Sequence, residues 1–123
     1  MAWEINGTDE FAEWFGRLDE PEQDEVIAVV ELLARDGPTL GRPHADRIAS
    51  SKFHNMKELR PRSEAKHLRV LYMFDPRREA ILLLGGDKRG QWDRWYTSAV
   101  PEAERLYERY LAELDGAGAS DIG

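Results

Sequence analysis

The sequence predicts an α+β domain in which two N-terminal helices pack on an antiparallel sheet of about four strands, with a C-terminal helix beside it. Apolar residues recur at helical spacing in the first 36 residues and again after Pro101, which is typical of amphipathic helices. Between Met56 and Leu84 the pattern changes to the alternation and short apolar runs of strands. Residues 1–123 are therefore expected to form a single domain, with a frayed tail at 115–123.

A short strand and two helices are predicted first. Ala2–Ile5 can form the strand, and Asn6-Gly7 is a strong turn signal. Thr8 suits the N-cap of the first helix, Pro21 suits the first turn of the second, and Gly37-Pro38 ends it. The residues that share one helical face are Phe11, Trp14, Phe15 and Leu18, followed by Val26, Val29, Val30 and Leu33.

Three consecutive antiparallel strands and a last helix are predicted next. The stretch Thr39–Phe53 shows no period and indicates a loop, with a short helical turn around 46–50. The final helix is expected to begin at Pro101, because proline is favoured in a first turn. The strands are predicted at 56–61, 67–74 and 80–84, with a hairpin at 75–78. The apolar stripe of the last helix is Ala103, Leu106, Tyr107, Tyr110, Leu111 and Leu114.

Composition excludes several classes of protein. The chain has no cysteine, so neither a disulfide framework nor a thiolate zinc site is available, and a cytoplasmic location is expected. The longest apolar run, AILLL, is too short to span a bilayer, and the acidic N-terminus does not resemble a signal peptide. We therefore expect no membrane partner.

Positive charge is concentrated in the middle of an acidic chain. The formal net charge is −7, yet residues 37–78 carry 10 cations against 4 anions, whereas residues 1–36 carry 2 against 11. Because most of the surface would repel phosphates, indiscriminate coating of nucleic acid is excluded. The segment indicates a local site for a polyanion.

Strand phase divides these charges between the two faces of the predicted sheet. Glu58, Arg60 and Arg69 lie opposite Leu59 and Val70, and they are expected to face outward together. The alternative is an ordinary solvated sheet face. Lys57 falls on the Leu59 side of its strand. Lys88, after the third strand, is a candidate catalytic residue. The candidate substrate-binding residues also include Lys57, Arg89 after Lys88, and His54 and His67 at the strand starts.

These residue types suit the cleavage of RNA without a metal. A base takes the proton of the 2′-hydroxyl, the oxygen attacks the adjacent phosphate, and an acid protonates the leaving 5′-oxygen. Arg60 and Arg69 can offer forked donors to the phosphate, and Glu58 can act as base. Clustered positive charge lowers the pKa of a lysine, which would help Lys57 or Lys88 to act as acid.

Aromatic residues follow the basic pair directly. Aromatic rings beside cations can stack the bases of single-stranded RNA, which makes Trp92 a candidate for substrate binding. Alternatively, Trp92 and Trp95 pack the last helix against the sheet. Tyr96 is the stronger functional candidate, because a phenol near a phosphate can orient it or donate a proton.

No cofactor is expected. His44, His54 and His67 show no metal-ligand spacing. Gly85-Gly86 and Gly90 lack the following helix that a phosphate-binding loop requires. Neither a metal site nor a nucleotide site is therefore predicted.

The strings HNMKELRP and HLRVLYMFDPRREAILLLGGDKRGQW, in this order between two N-terminal helices and a last helix, resemble the RelE/ParE superfamily of bacterial toxins. They are most similar to its phage-derived, HigB-like branch, and the resemblance extends from Trp3 to about Leu114. It implies a RelE-like fold and a metal-independent endoribonuclease, an mRNA interferase that cleaves message on the ribosome. It also implies a cognate antitoxin, often a helix-turn-helix protein.

The resemblance also implies roles for individual residues. Arg69 matches a strand arginine that contacts the phosphate, Lys88 and Arg89 match a basic pair, and Tyr96 falls near a C-terminal tyrosine. Glu58 stands where RelE-type toxins have one of two lysines, which leaves the base open. Two alternatives remain: a ParE-type toxin that binds DNA gyrase without cutting RNA, or a degenerate toxin that only binds its antitoxin.

Overall fold

The computed structural model describes residues 2–62 and 67–122, with side chains as far as Asp115. Most of the predicted frayed tail at 115–123 lies outside the described side chains. The predicted α+β class is confirmed. In chain order the elements are β1 (Glu4–Gly7), α1 (Asp9–Gly16), α2 (Glu20–Asp36), a 3₁₀ turn (Gly37–Thr39), β2 (Ala45–Arg47), β3 (Lys57–Leu59), β4 (Leu68–Phe74), β5 (Glu79–Asp87) and α3 (Asp93–Ile122).

Local capping explains where the first two helices begin. The Thr8 hydroxyl accepts from the Phe11 backbone N–H at 3.0 Å, as predicted for an N-cap. Asp19 and Glu22 form a reciprocal capping box, with both hydrogen bonds at 2.9 Å. Pro21 lies in the first turn of α2 and Gly37 caps its end. These signals act within a few residues, which is why the sequence predicts them.

The sheet has five strands in the order β1-β5-β4-β3-β2. The predicted antiparallel run is confirmed for β3, β4 and β5, whereas β1 pairs in parallel with β5. The fifth strand is β2, which pairs antiparallel with β3 so that Asp46 stands opposite Glu58. The helical turn predicted at 46–50 is therefore wrong at its start. Three residues carry too little pattern, and pairing with β3 decides their conformation.

Helices cover both faces of the sheet. The face that carries Val70 and Tyr72 packs against α1 and α2, and the opposite face, with Leu71 and Met73, packs against α3. The predicted alternation along β4 is therefore confirmed. No helix in the described part of the chain is long and apolar enough to cross a membrane.

The last helix begins earlier than the sequence predicts. Helix α3 starts at Asp93, and Pro101 lies well inside it. Proline removes one helical donor, but burial of Trp95, Ala99 and Val100 against the sheet stabilises the extra turns. The prediction that Glu58 faces outward is also wrong, because the early turns of α3 lie over this residue.

Two adjacent glycines let tryptophans approach the sheet from opposite sides. A Cβ on Gly85 would lie 2.1 Å from the Trp14 ring, and one on Gly86 would lie 2.6 Å from Trp95. Both distances are far below van der Waals contact. At these two positions β5 therefore has no room for a side chain, and Gly86 fixes how closely the first turn of α3 can lie.

We expect Gly85→Ala to lower the free energy of unfolding by about 1–3 kcal/mol, because the new methyl group overpacks the core against Trp14. The matched control is Gly16→Ala in α1, where a Cβ would have no heavy atom within 4 Å. That change should stabilise by up to about 1 kcal/mol. Urea denaturation of the three proteins checks both, and equal effects at the two glycines would contradict the packing argument.

Candidate active site

A cleft of about 590 Å³ lies between α3 and the β2–β3 end of the sheet. Glu58 and Arg60 contribute from β3 and its end, and Lys88 from the end of β5. Tyr96 in the first turn of α3 closes the opposite wall. The structure therefore brings together residues from three separate predicted segments.

The Glu58 carboxylate lies at the centre of this arrangement and is only 3% exposed. Its Oε1 accepts a hydrogen bond from the Tyr96 hydroxyl at 2.5 Å, and the Arg69 Nε lies 3.5 Å from the same oxygen. Its Oε2 accepts from the Arg60 Nε and a terminal nitrogen at 3.3 and 3.0 Å. A buried carboxylate needs such partners to offset the loss of its hydration.

Asp46 is a member of this network that the sequence does not reveal. Its Oδ2 accepts from Arg60 at 3.1 Å and from Arg42 at 3.1 Å. A hydrogen bond from the Arg47 backbone N–H, followed by the charges of Arg42 and Arg60, lowers its pKa. In the sequence, Asp46 stands out only as an acidic residue within the basic segment. Its place beside Glu58 depends on strand β2, which the sequence does not predict.

Arg69 lies beside Glu58, next to the cleft and outside its lining. One terminal nitrogen donates to the Leu68 carbonyl at 2.8 Å, and its buried Nε has no hydrogen-bond acceptor among the described residues. The side chain is 13% exposed. A partly buried guanidinium with donor capacity left is suited to a phosphate or carboxylate oxygen.

Tyr96 and Lys88 both have shifted pKa values. Burial, and then the neighbouring Glu58 carboxylate, raises the pKa of Tyr96 to about 12. Burial, and then the charge of Arg69, lowers the pKa of Lys88. The Lys88 Nζ lies 5.4 Å from the centre of the Tyr96 ring. The phenol therefore keeps its proton at neutral pH, whereas the ammonium gives its proton up more readily than an exposed lysine.

The other predicted substrate-binding residues lie at the rim or elsewhere. The rings of His67 and Trp92 are 4.7 Å apart at the rim, next to Lys88. Arg89 is exposed and lies 3.9 Å from the Asp87 carboxylate. His54 is exposed in the loop before β3, and no described contact joins it to the cleft.

Lys57 lies on the other face of the sheet, as its strand phase indicates. Its Nζ donates to the Pro38 carbonyl at 3.2 Å and lies 5.9 Å from the centre of the Phe74 ring. The structure therefore separates Lys57 from Glu58, although the two residues are adjacent in sequence. In the described residues, no group of three or more histidine, aspartate or glutamate side chains could hold a metal ion.

Similar proteins were found by sequence and by structure. A family model described as "Phage derived protein Gp49-like (DUF891)" matches residues 13–108. "Putative toxin HigB3" of Mycobacterium tuberculosis is 49% identical over 105 residues, which cover 85% of this chain and 90% of that protein. "Putative toxin HigB2" of the same organism is 39% identical over 103 residues, 83% of this chain, and the match spans about half of HigB2, 51%.

Solved structures show the same fold at low sequence identity. A mutant of Escherichia coli toxin RelE in the free state aligns with a TM-score of 0.60 and 12% identity, over 82% of this chain and 97% of that one. The toxin–antitoxin complex RelBE2 of M. tuberculosis aligns with a TM-score of 0.55 and 12% identity, over 71% of this chain and 99% of that one. The RelE–RelB complex of Pyrococcus horikoshii aligns with a TM-score of 0.54 and 12% identity, over 74% of this chain and 99% of that one.

We expect Glu58→Gln to lower the pKa of Tyr96 from about 12 while leaving it above that of a free tyrosine, because burial remains when the charge is removed. NMR titration of protein with carbon-13-labelled tyrosine rings measures this, and Tyr96→Phe identifies the signal. The control Glu31→Gln changes an exposed residue of α2 and should have no effect. A Tyr96 pKa that is unchanged in Glu58→Gln would contradict the contact.

Proposed function

Because the chain belongs to the Gp49-like family of phage-derived proteins and is a HigB-like toxin of the RelE superfamily, we propose that its activity is the cleavage of messenger RNA. It acts as the toxin of a type II toxin–antitoxin system. The observation that carries the nuclease proposal is the hydrogen bond from Tyr96 to the buried Glu58 carboxylate, beside Arg69 and Lys88.

The arginines bind the scissile phosphate. Arg69 has donor capacity left beside Glu58, and Arg60 already faces the same carboxylate. A phosphate that shares these guanidiniums with Glu58 lies next to a proton acceptor. This is the arrangement that attack by the neighbouring 2′-hydroxyl requires.

Glu58 takes the proton of the 2′-hydroxyl through Tyr96. The Tyr96 oxygen accepts that proton while its own proton passes to the Glu58 Oε1, 2.5 Å away. Both transfers occur together, because a pKa of about 12 disfavours a free tyrosinate. The 2′-oxygen then forms a bond to phosphorus as the bond from phosphorus to the 5′-oxygen breaks, which leaves a 2′,3′-cyclic phosphate.

Lys88 donates a proton to the leaving 5′-oxygen. Its pKa is lowered by burial and by Arg69, so the ammonium is a better acid than an exposed lysine. Its remaining N–H groups and those of Arg69 stabilise the charge that builds on the phosphoryl oxygens. No metal ion has a step in this scheme, so EDTA should leave the rate unchanged.

A cognate antitoxin holds the toxin silent in the cell, and we propose a helix-turn-helix protein encoded beside it. Two of the similar structures are toxin–antitoxin complexes, which supports a protein partner for this fold. The message is proposed to be cut on the ribosome, in the cytoplasm.

We expect Arg69→Ala to abolish the cleavage of message after induction in bacteria, because the phosphate loses its buried forked donor. Primer extension on several messages maps the cuts, and wild type should produce new 5′ ends. The control Arg35→Ala removes an exposed arginine at the end of α2 that pairs with Asp36, and it should cut like wild type.

Two outcomes would overturn the nuclease proposal. One is a wild type that stops growth without new 5′ ends. The other is an Arg69→Ala variant that cuts as wild type does. Inhibition of DNA gyrase supercoiling by the purified toxin, with message intact, would assign the ParE-type activity instead.

We expect the cleavage rate to fall as pH rises through the pKa of Lys88, because only the ammonium can protonate the leaving oxygen. Since that pKa is lowered from 10.5, the fall should begin below the range of an ordinary lysine. Lys88→Arg keeps the positive charge but cannot serve as the acid. The cleavage rate of this variant should be about 10²–10⁴-fold lower, and it should no longer fall at alkaline pH. Single-turnover rates on ribosome–message complexes measure this. A variant that keeps the wild-type profile would remove Lys88 from the proton path.

A further inference from the structure

Trp92 is exposed although it is the kind of residue that folding normally buries. It is 51% exposed, whereas Trp14 and Trp95 are among the buried residues of the two cores. An exposed tryptophan beside cations is a feature of surfaces that bind aromatic or planar groups. Core packing, the alternative role for this residue, therefore applies to Trp95 and not to Trp92.

The backbone holds Trp92 in a conformation that bulky residues rarely adopt. Its φ angle is +47°, in the left-handed region that disfavours a side chain with a Cβ. The Lys88 carbonyl maintains the turn by accepting from the Gln91 and Trp92 backbone N–H groups at 2.9 and 2.7 Å. Backbone strain of this kind clusters at functional sites, where it positions a side chain. Here it places the ring at the mouth of the cleft.

Trp92 lies within the length of about one nucleotide from the proposed reaction centre. The Lys88 Nζ lies 5.4 Å from the centre of the Trp92 ring and 5.4 Å from that of Tyr96. The two ring centres are therefore no more than about 11 Å apart. A base and the phosphate of its own nucleotide fit within that distance. The His67 ring, 4.7 Å from Trp92, supports it from one side.

We propose that Trp92, supported by His67, stacks one unpaired base of single-stranded RNA whose phosphate lies against Lys88. This inference rests on the proposed function and names the form of its substrate: a strand with an unstacked base next to the cut. Stacking is tolerant of sequence, because every base has a π-face. The larger face of a purine should bind somewhat more tightly than that of a pyrimidine.

The experiment uses short RNA oligonucleotides whose riboses are 2′-O-methylated, so that no attack can occur. One base at a time is replaced by an abasic site, and binding is measured by fluorescence anisotropy at low salt. An abasic site at a single position should weaken binding to wild type by about 5–150-fold, since stacking contributes about 1–3 kcal/mol per base. Abasic sites elsewhere should have smaller effects.

The variants assign the loss to Trp92. Trp92→Ala should bind the intact strand as weakly as wild type binds the abasic one, and the abasic site should then have no further effect. Trp92→Phe should retain most of the affinity. The control is Ile27→Ala, which removes another exposed apolar side chain, 44% exposed on α2, and it should bind as wild type does.

The outcomes separate this inference from the nuclease proposal. If wild type binds intact and abasic strands equally, or if Trp92→Ala binds the intact strand normally, the stacking site is overturned, whether or not message is cut. If binding depends on the base and on Trp92 but no message is cut, the stacking site stands and the nuclease proposal falls. If Trp92→Ala weakens only the complex with the purified antitoxin, Trp92 is a protein contact and the inference is wrong.

Discussion

The buried carboxylate of Glu58 is the interaction on which the site depends. It lies in β3 and joins Arg69 of β4 and Tyr96 of α3, while Arg60 connects it to Asp46 of β2. A carboxyl group at 3% exposure is stable only while those donors surround it. If Glu58 were removed, Arg69 would be left as a buried charge without compensation. One residue therefore sets the positions of the two guanidiniums and of the phenol together.

The placement of α3 depends on a different constraint, the close approach of the Trp95 ring to the backbone of a glycine. Trp95 lies on Gly86, and the next residue of the helix is Tyr96. Because the indole cannot move toward the sheet any further, the phenol reaches Glu58 at hydrogen-bonding distance. The apolar core and the polar cleft thus share one helical turn, and packing supplies the precision that the proposed proton transfer needs.

The sequence predicts what depends on neighbours a few residues apart. Capping by Thr8 and the alternation along β4 are local patterns, and both are confirmed. Strand β2 and the start of α3 depend on contacts between distant segments. Asp46 enters the site through pairing with β3, and Glu58 becomes buried because α3 begins before Pro101. Strand phase therefore grouped Glu58 with Arg60 and Arg69 correctly, but periodicity could not show that a helix covers them.

Internal pairing of charge is consistent with the proposal that an acidic protein acts on RNA without coating it. Arg60 faces Glu58 and Asp46, so the basic segment of residues 37–78 presents less free positive charge than its composition indicates. Non-specific affinity grows with the number of phosphates neutralised and weakens with salt. A strand that adds only one phosphate to this network gains little from charge alone. Recognition must then come from the geometry of that phosphate and from contacts with its base. This favours an RNA strand whose base is already unpaired and unstacked.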